Sequence, residues 1–197
     1  METKEIILWG FLSISLIINI MYLLSTYKEN YKKTYEDPLT KLRNRKFLDE
    51  IKKMVHISDD KFDVIFCDID FFKKVNDTYG HDTGDKVLEI TGQKLKSSFK
   101  SSKDFVLRFG GEEFLIFLLK EKDNKNHEDN IYRRIEGLRK SVEGTTLHIG
   151  ESDIKFTMSF GISFYKDDLD LDQQIKLSDE ALYKSKETGR NKITIAE

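Results

Sequence analysis

From Ile6 to Tyr27 the sequence runs 22 residues without one charged side chain, in a chain whose Asp, Glu, Lys and Arg make up 35% of all residues. Soluble domains carry roughly 25%, so the charges are plentiful and segregated. At about 1.5 Å rise per residue the run spans about 33 Å as a helix, against a hydrocarbon layer of roughly 30 Å. Trp9 lies near one end and Tyr22 and Tyr27 near the other, as interfacial anchors would. A cleaved signal peptide fits poorly, because the apolar stretch is long and no small-x-small cleavage pattern follows. A buried core helix is the other alternative. The expectation is an uncleaved single-pass anchor over residues 1–27, with residues 6–27 in the membrane. Lys28, Lys32 and Lys33 follow the run, whereas Lys4 before it is offset by Glu2 and Glu5. That bias places the C-terminal part in the cytoplasm. Tyr27, Tyr31 and Tyr35 recur every four residues, so 28–36 reads as a helical stalk or as an ordinary solvated linker, with Pro38 as a stop.

The remaining stretch, 37–197, is expected to be one domain. A net charge of −2 excludes a nucleic-acid coat protein, and the single cysteine excludes a disulfide framework or a Cys-rich zinc site. FDVIFCDID (62–70) has the near-continuous apolarity of a strand buried on both faces. Asn44 is placed to cap a helix bearing Phe47, Leu48, Ile51 and Val55, and a second helix carries Val87, Leu88, Thr91, Leu95 and Phe99. FVLRF (105–109), Gly110-Gly111 and EEFLIFLL (112–119) read as a hairpin, and 120–130 as a surface loop. A helix is expected around 129–142. Residues 154–164 alternate apolar with polar or small, as a half-buried antiparallel strand does. A helix over about 172–188 ends at Gly189, and Ile193–Ala196 forms a last strand. The fold class is α+β, with a mainly antiparallel sheet covered by helices.

Chemistry points to the end of the buried strand. Asp68 and Asp70 lie two apart there, on one face, where carboxylates are expensive unless neutralised. A hard cation such as Mg²⁺ takes one or two carboxylates plus substrate phosphates; turn-forming aspartates at a wet strand end are the bland alternative. Glu112 and Glu113 open the strand after the glycines and should face opposite ways, so only one can share a cation with Asp68. Lys73, Asn76 and Asp85 lie between, and an amide plus a carboxylate suits the guanine edge. Gly80 and Gly84 are not followed by Lys-Ser/Thr, which argues against a P-loop. His56, His127 and His148 have no motif around them and read as surface.

Five blocks in order, DPLTKLRNR (37–45), CDIDFFKKVNDTYGHDTGD (67–85), RFGGEEF (108–114), SFGIS (159–163) and LYKSKETGRNK (182–192), make residues 35–196 resemble a GGDEF-domain diguanylate cyclase. The resemblance implies a nucleotidyl-cyclase palm with a ferredoxin-like sheet, acting as a homodimer with one GTP per protomer. It implies that Asp68, the carbonyl of Ile69 and Glu112 hold Mg²⁺, or Mn²⁺ in its place. By the same resemblance Asn76 and Asp85 read guanine, Lys73 steadies charge on the phosphates, and Lys186 and Arg190 grip the outer phosphates. One glutamate is the base, Glu112 first and Glu113 second. The implied reaction joins two GTP into cyclic di-GMP and two pyrophosphates. Lys186 and Arg190 would also suit a helix C-terminus without any ligand.

One departure bears on regulation. Many members carry Arg-x-x-Asp ending five residues before the glycine pair; here Asp104 matches, but the arginine position is Ser101. Serine lacks the guanidinium fork, so product inhibition through this site should be weak or absent. A degenerate module that binds nucleotide or a partner without catalysis is the alternative to an active cyclase. The length leaves no room for a sensor domain, and the anchor, the tyrosine-spaced stalk and a separate membrane sensor partner all stay open as the means of dimerisation.

Overall fold

The computed structural model describes residues 3–58, 60–101, 103–120 and 124–197, and the side chains of 3–8 are not described. The chain divides into two compact units, Met1–Glu36 and Asp37–Glu197.

The first unit is one helix, α1 (Thr3–Tyr35). An 18-residue window of it has a mean hydropathy of 1.6, and by length and composition it is the one described helix able to cross a membrane. Its polar side chains fold back on their own helix: the Ser13 hydroxyl donates to the Trp9 carbonyl at 2.8 Å, the Asn19 amide to Ser15, and the Thr26 hydroxyl to Tyr22. Such back-bonding satisfies polar groups where no water is available. Tyr27, Tyr31 and Tyr35 stack successively, with ring centroids 6.2 and 5.1 Å apart.

The second unit follows the order β1 (Arg43–Asn44), α2 (Phe47–Ser58), β2 (Phe62–Ile69), α3 (Phe72–Tyr79), α4 (His81–Ser98), β3 (Phe105–Arg108), β4 (Glu113–Leu119), α5 (His127–Glu143), β5 (Thr146–Ile149), β6 (Ser152–Lys155), β7 (Met158–Ser163), α6 (Leu171–Glu187) and β8 (Ile193–Ile195). Six strands form one sheet in the order β1-β3-β4-β2-β7-β8, and β5 and β6 form a separate hairpin. The central pairings β3–β4, β4–β2 and β2–β7 are antiparallel; the outer β1–β3 and β7–β8 are parallel. This is the expected α+β architecture.

β2 is buried along its whole length because both sheet faces are covered. Ile65, Cys67 and Ile69 join Phe114, Ile116, Leu118, Met158, Phe160 and Ile162 in a core with Val75, Val87, Leu95, Ile131 and Ile135 from α3, α4 and α5. The opposite face takes α6. A Cβ on Gly161 would strike the Ser178 carbonyl and the Leu182 amide, so glycine lets α6 lie directly on β7.

Three local expectations are corrected. The alternating segment 154–164 is two strands, and β7 is buried on both faces. Ser159, Gly161 and Ser163 are small to admit a helix, so their side of the strand is not wet. Asn44 does not cap α2; it lies on β1, and its Oδ1 accepts the Lys46 amide at 3.0 Å. β4 starts at Glu113, leaving Glu112 in the turn. Of the predicted surface loop, residues 121–123 lie outside the described residues.

Candidate active site

β2 delivers Asp68 and Ile69 to its C-terminal end, where the neighbouring hairpin arrives from the other direction. The register sets Asp68 opposite Glu113, and the Ile69 amide donates to the Glu112 carbonyl at 3.3 Å. Both glutamates are half-buried. α6 brings Lys186 to the same corner, with its ammonium 2.9 Å from Asp68 Oδ2. Asp68 is only 6% exposed. Burial pushes its pKa up, the Lys186 hydrogen bond and charge pull it down, and Glu112 and then Glu113 push it up again, leaving it at about 6. Two consecutive glutamates therefore act on one buried aspartate, and Glu112 does so more strongly although it lies outside the strand.

The donor set fits a hard divalent cation. Asp68, the Ile69 carbonyl and Glu112 offer only oxygen, and the neighbouring carboxylates add to the burial that raises Asp68. Among the described residues no group of three or more His, Cys, Asp or Glu side chains gathers as a metal site. Two carboxylates and a carbonyl are what a Mg²⁺ site completed by phosphate oxygens uses.

Asp70 takes a different part from Asp68. Its Oδ2 accepts the Thr157 hydroxyl at 2.6 Å and the Asn191 amide at 3.0 Å, and its Oδ1 accepts the Ser159 hydroxyl at 2.7 Å. It ties the end of β2 to β7 and to the turn after α6. Phe71 follows in left-handed backbone, φ 55°, and α3 begins after it with no side-chain cap. An uncapped helix start at a carboxylate cluster offers backbone N–H groups to an anion. The sequence reading missed this feature; its signal was the absence of Ser, Thr, Asp or Asn at the cap position.

Asn76 and Asp85, the residues expected to read guanine, lie on α3 and α4. A Cβ on Gly84 would collide with Asn76 Oδ1, so the glycine makes room for that amide beside Asp85. Asp85 and Lys73 are exposed, and Arg190 lies in the turn after α6, its guanidinium 4.4 Å from the Phe71 ring centre.

A second missed feature braces the glycine turn. Arg108 Nε and Nη2 donate to the Gly111 carbonyl at 3.0 and 2.8 Å, and Nη1 donates to Asp37 at 3.1 Å. Burial raises the Asp37 carboxyl, but the Thr40 amide and hydroxyl and Arg108 outweigh it and hold the pKa below the ordinary value. The DPLT and RFGG segments are thus joined through one arginine.

Two further predictions fare differently. Asp104 is taken by Arg134 Nη2 at 3.0 Å, a guanidinium from α5 beside the serine position, which the sequence reading did not foresee. His127 is not a surface residue: its side chain is 11% exposed, with Nε2 2.6 Å from the buried Asp63. His56 and His148 are exposed.

A family model described as "Diguanylate cyclase, GGDEF domain" matches residues 34–192. The chain is 37% identical over 164 residues to diguanylate cyclase DosC of Escherichia coli K12, covering 81% of this chain and 34% of that protein. It is 40% identical over 134 residues to diguanylate cyclase A of Treponema denticola, covering 68% and 34%. The chain thus spans about a third of the length of these relatives. The solved coiled coil and GGDEF domain of DgcB from Caulobacter crescentus, in complex with c-di-GMP, superposes with a TM-score of 0.79 at 27% identity, over 96% of this chain and 99% of that one.

Proposed function

Because the chain belongs to the GGDEF family of diguanylate cyclase domains, we propose that it condenses two GTP into cyclic di-GMP and two pyrophosphates. The observation that carries this is the corner where buried Asp68 meets Glu112, Glu113 and Lys186. It combines hard-cation ligands with a cation for phosphate.

In this reading each protomer of a homodimer holds one GTP. Asn76 and Asp85 bind the guanine edge, Asn76 accepting or donating through its amide and Asp85 accepting from N–H groups. Lys73, Lys186, Arg190 and the free amides at the start of α3 hold the triphosphate. Asp68, the Ile69 carbonyl and Glu112 would hold Mg²⁺, or Mn²⁺ in its place, and the cation would neutralise charge on the phosphates and lower the pKa of the 3′-hydroxyl. Glu112, or Glu113 next to it, accepts the hydroxyl proton. The 3′-oxygen of one nucleotide forms a bond to the α-phosphorus of the other, and the bond to pyrophosphate breaks; the same exchange in the opposite sense closes the ring. Positioning and charge placement supply most of the acceleration in such transfers. α1 anchors the enzyme in the inner membrane with the catalytic unit in the cytoplasm, where a separate membrane sensor would act on it.

The test is incubation of the full chain, in detergent, with Mg²⁺ and each nucleoside triphosphate, followed by mass spectrometry. Cyclic di-GMP from GTP alone is expected. Nucleotide binding without any cyclic dinucleotide would establish a non-catalytic binding module instead. A fully active Glu112→Gln variant would overturn the metal assignment.

A further inference from the structure

Two adjacent residues after β2 hold two adjacent residues after α6. Asp70, 4% exposed, accepts the backbone N–H of Asn191, while the neighbouring Phe71 ring lies 4.4 Å under the guanidinium of the neighbouring Arg190. Three of the four have left-handed backbone: Phe71 at φ 55°, Arg190 at 62° and Asn191 at 46°. For a bulky aromatic that conformation is an outlier, retained where the surroundings over-determine it. Burial does not explain the phenylalanine, because it is 60% exposed. The Asn191 side chain is fixed as well, accepting from Arg139 Nη1 at 2.8 Å and donating to Glu143 at 2.8 Å. The guanidinium of Arg190 makes no hydrogen bond or ion pair among the described residues, and the ring is its recorded contact.

We infer that Asp70 and Phe71 form a clamp that presets Arg190 for the nucleotide phosphates, with Phe71 a positioning residue acting through Arg190. This rests on the cyclase reading, which gives Arg190 to the phosphates. The chemistry is that of preorganisation. An arginine side chain has many rotamers, and fixing it before binding lowers the entropic loss on association. Stacking engages the face of the guanidinium and leaves its N–H edges free for phosphate oxygens. Asp70 fixes the backbone from which the side chain springs, and Phe71 fixes where it points. Lys186 is held apart on Asp68, so the two cations do not compete for one support.

The experiment compares wild type, Phe71→Leu, Phe71→Tyr and Phe71→Gly in the full chain, each alone and combined with Arg190→Gln. GTP turnover and equilibrium binding of a non-cyclisable GTP analogue are both measured. Phe71→Gly suits the left-handed backbone and removes the ring, so it separates loss of stacking from loss of fold. Leu and Gly should each weaken nucleotide binding and raise KM for GTP roughly 3-fold with kcat little changed, whereas Tyr retains wild-type affinity. On the Arg190→Gln background the Phe71 changes should have no further effect. Wild-type affinity in Phe71→Leu, or an undiminished loss on the Arg190→Gln background, would overturn the clamp. A wild type that binds the analogue but makes no product would sink the cyclase reading, while the binding series still decides the clamp. A wild type that binds no guanine nucleotide would overturn both.

Discussion

Asp68 is the residue whose environment makes the sharpest pH statement. Its carboxyl is raised from 3.8 to about 6, by burial first and by Glu112 and Glu113 against the pull of Lys186. Between those two values the folded chain holds a proton that the unfolded chain has lost. Stability from this group is therefore full below pH 3.8 and declines as pH rises to about 6, a difference on the order of 3 kcal/mol. A divalent cation relieves the same crowding only once Asp68 is ionised. Thermal unfolding with and without Mg²⁺ should show a larger Mg²⁺-induced rise in Tm above pH 6 than below it; an equal rise on both sides would contradict the site. Arg108 supports a second residue-scale prediction. It joins Asp37 to the Gly111 carbonyl, with side-chain exposures of 17% for Arg108 and 16% for Asp37. Arg108→Ala leaves the Gly111 carbonyl without its donors and the half-buried Asp37 with Thr40 alone, so denaturant unfolding should show a loss of roughly 1–3 kcal/mol. Cyclase activity should fall with it, because the turn that carries Glu112 is released. Both assignments show how much of the site a single sequence makes legible. Asp68 draws notice because a carboxylate at the end of an apolar strand demands an explanation, whereas Lys186 near a helix C-terminus suits the dipole without any ligand and is picked out only by the family resemblance. Arg108 and Arg134 were not legible, because an arginine's partner lies on another element and local spacing says nothing of it.

At the scale of elements, α6 and β7 decide where Lys186 and Arg190 stand. Gly161 lies against the backbone of Ser178, Ala181 and Leu182, and the Ser185 hydroxyl donates to the Phe160 carbonyl at 2.8 Å. Gly161→Ala must therefore push α6 off the sheet. Overpacking against backbone of this kind costs roughly 1–3 kcal/mol, readable by denaturant unfolding. It should also weaken GTP binding by displacing both cations, whereas a change confined to stability would show that α6 does not place them. The same pair explains why this part of the chain was misread. The apolar positions Met158, Phe160 and Ile162 were legible by their alternation. Ser159, Gly161 and Ser163 looked like a wet face, because small residues at a helix–sheet contact share the composition of exposed ones. α5 makes a parallel point at Asp104. Arg134 supplies one guanidinium there, and position 101 lacks the second. Ser101→Arg should strengthen inhibition by added cyclic di-GMP in a product-titration assay. Wild-type inhibition already at micromolar or tighter product concentration would show that Arg134 alone suffices.

At the scale of the molecule, the uncharged run of the sequence is the larger part of a helix that continues through the tyrosine ladder to Tyr35, directly before the second unit starts at Asp37. The helix exposes Trp9, Phe11, Leu16, Ile17, Leu23 and Leu24 within its own unit, all more than half accessible. Water is a poor solvent for such a surface, and its internally bonded Ser13, Asn19 and Thr26 suit a medium without water. The full chain should accordingly sediment with membranes and stay there through alkaline carbonate, with release by detergent; release by carbonate would refute an integral anchor. Residues 37–197 hold their own core, built from strands and helices of that unit alone. Removing residues 1–36 should therefore leave the Tm of the catalytic unit unchanged. In the homodimeric reading proposed above, activity depends on how often the protomers meet, and confinement by a membrane-anchored α1 would raise that frequency. The truncated unit should then lose activity at low protein concentration and regain it as concentration rises, with an activity that scales more steeply than first order. Activity proportional to concentration throughout would show that the unit needs no helix to bring its protomers together and would remove the role assigned to α1.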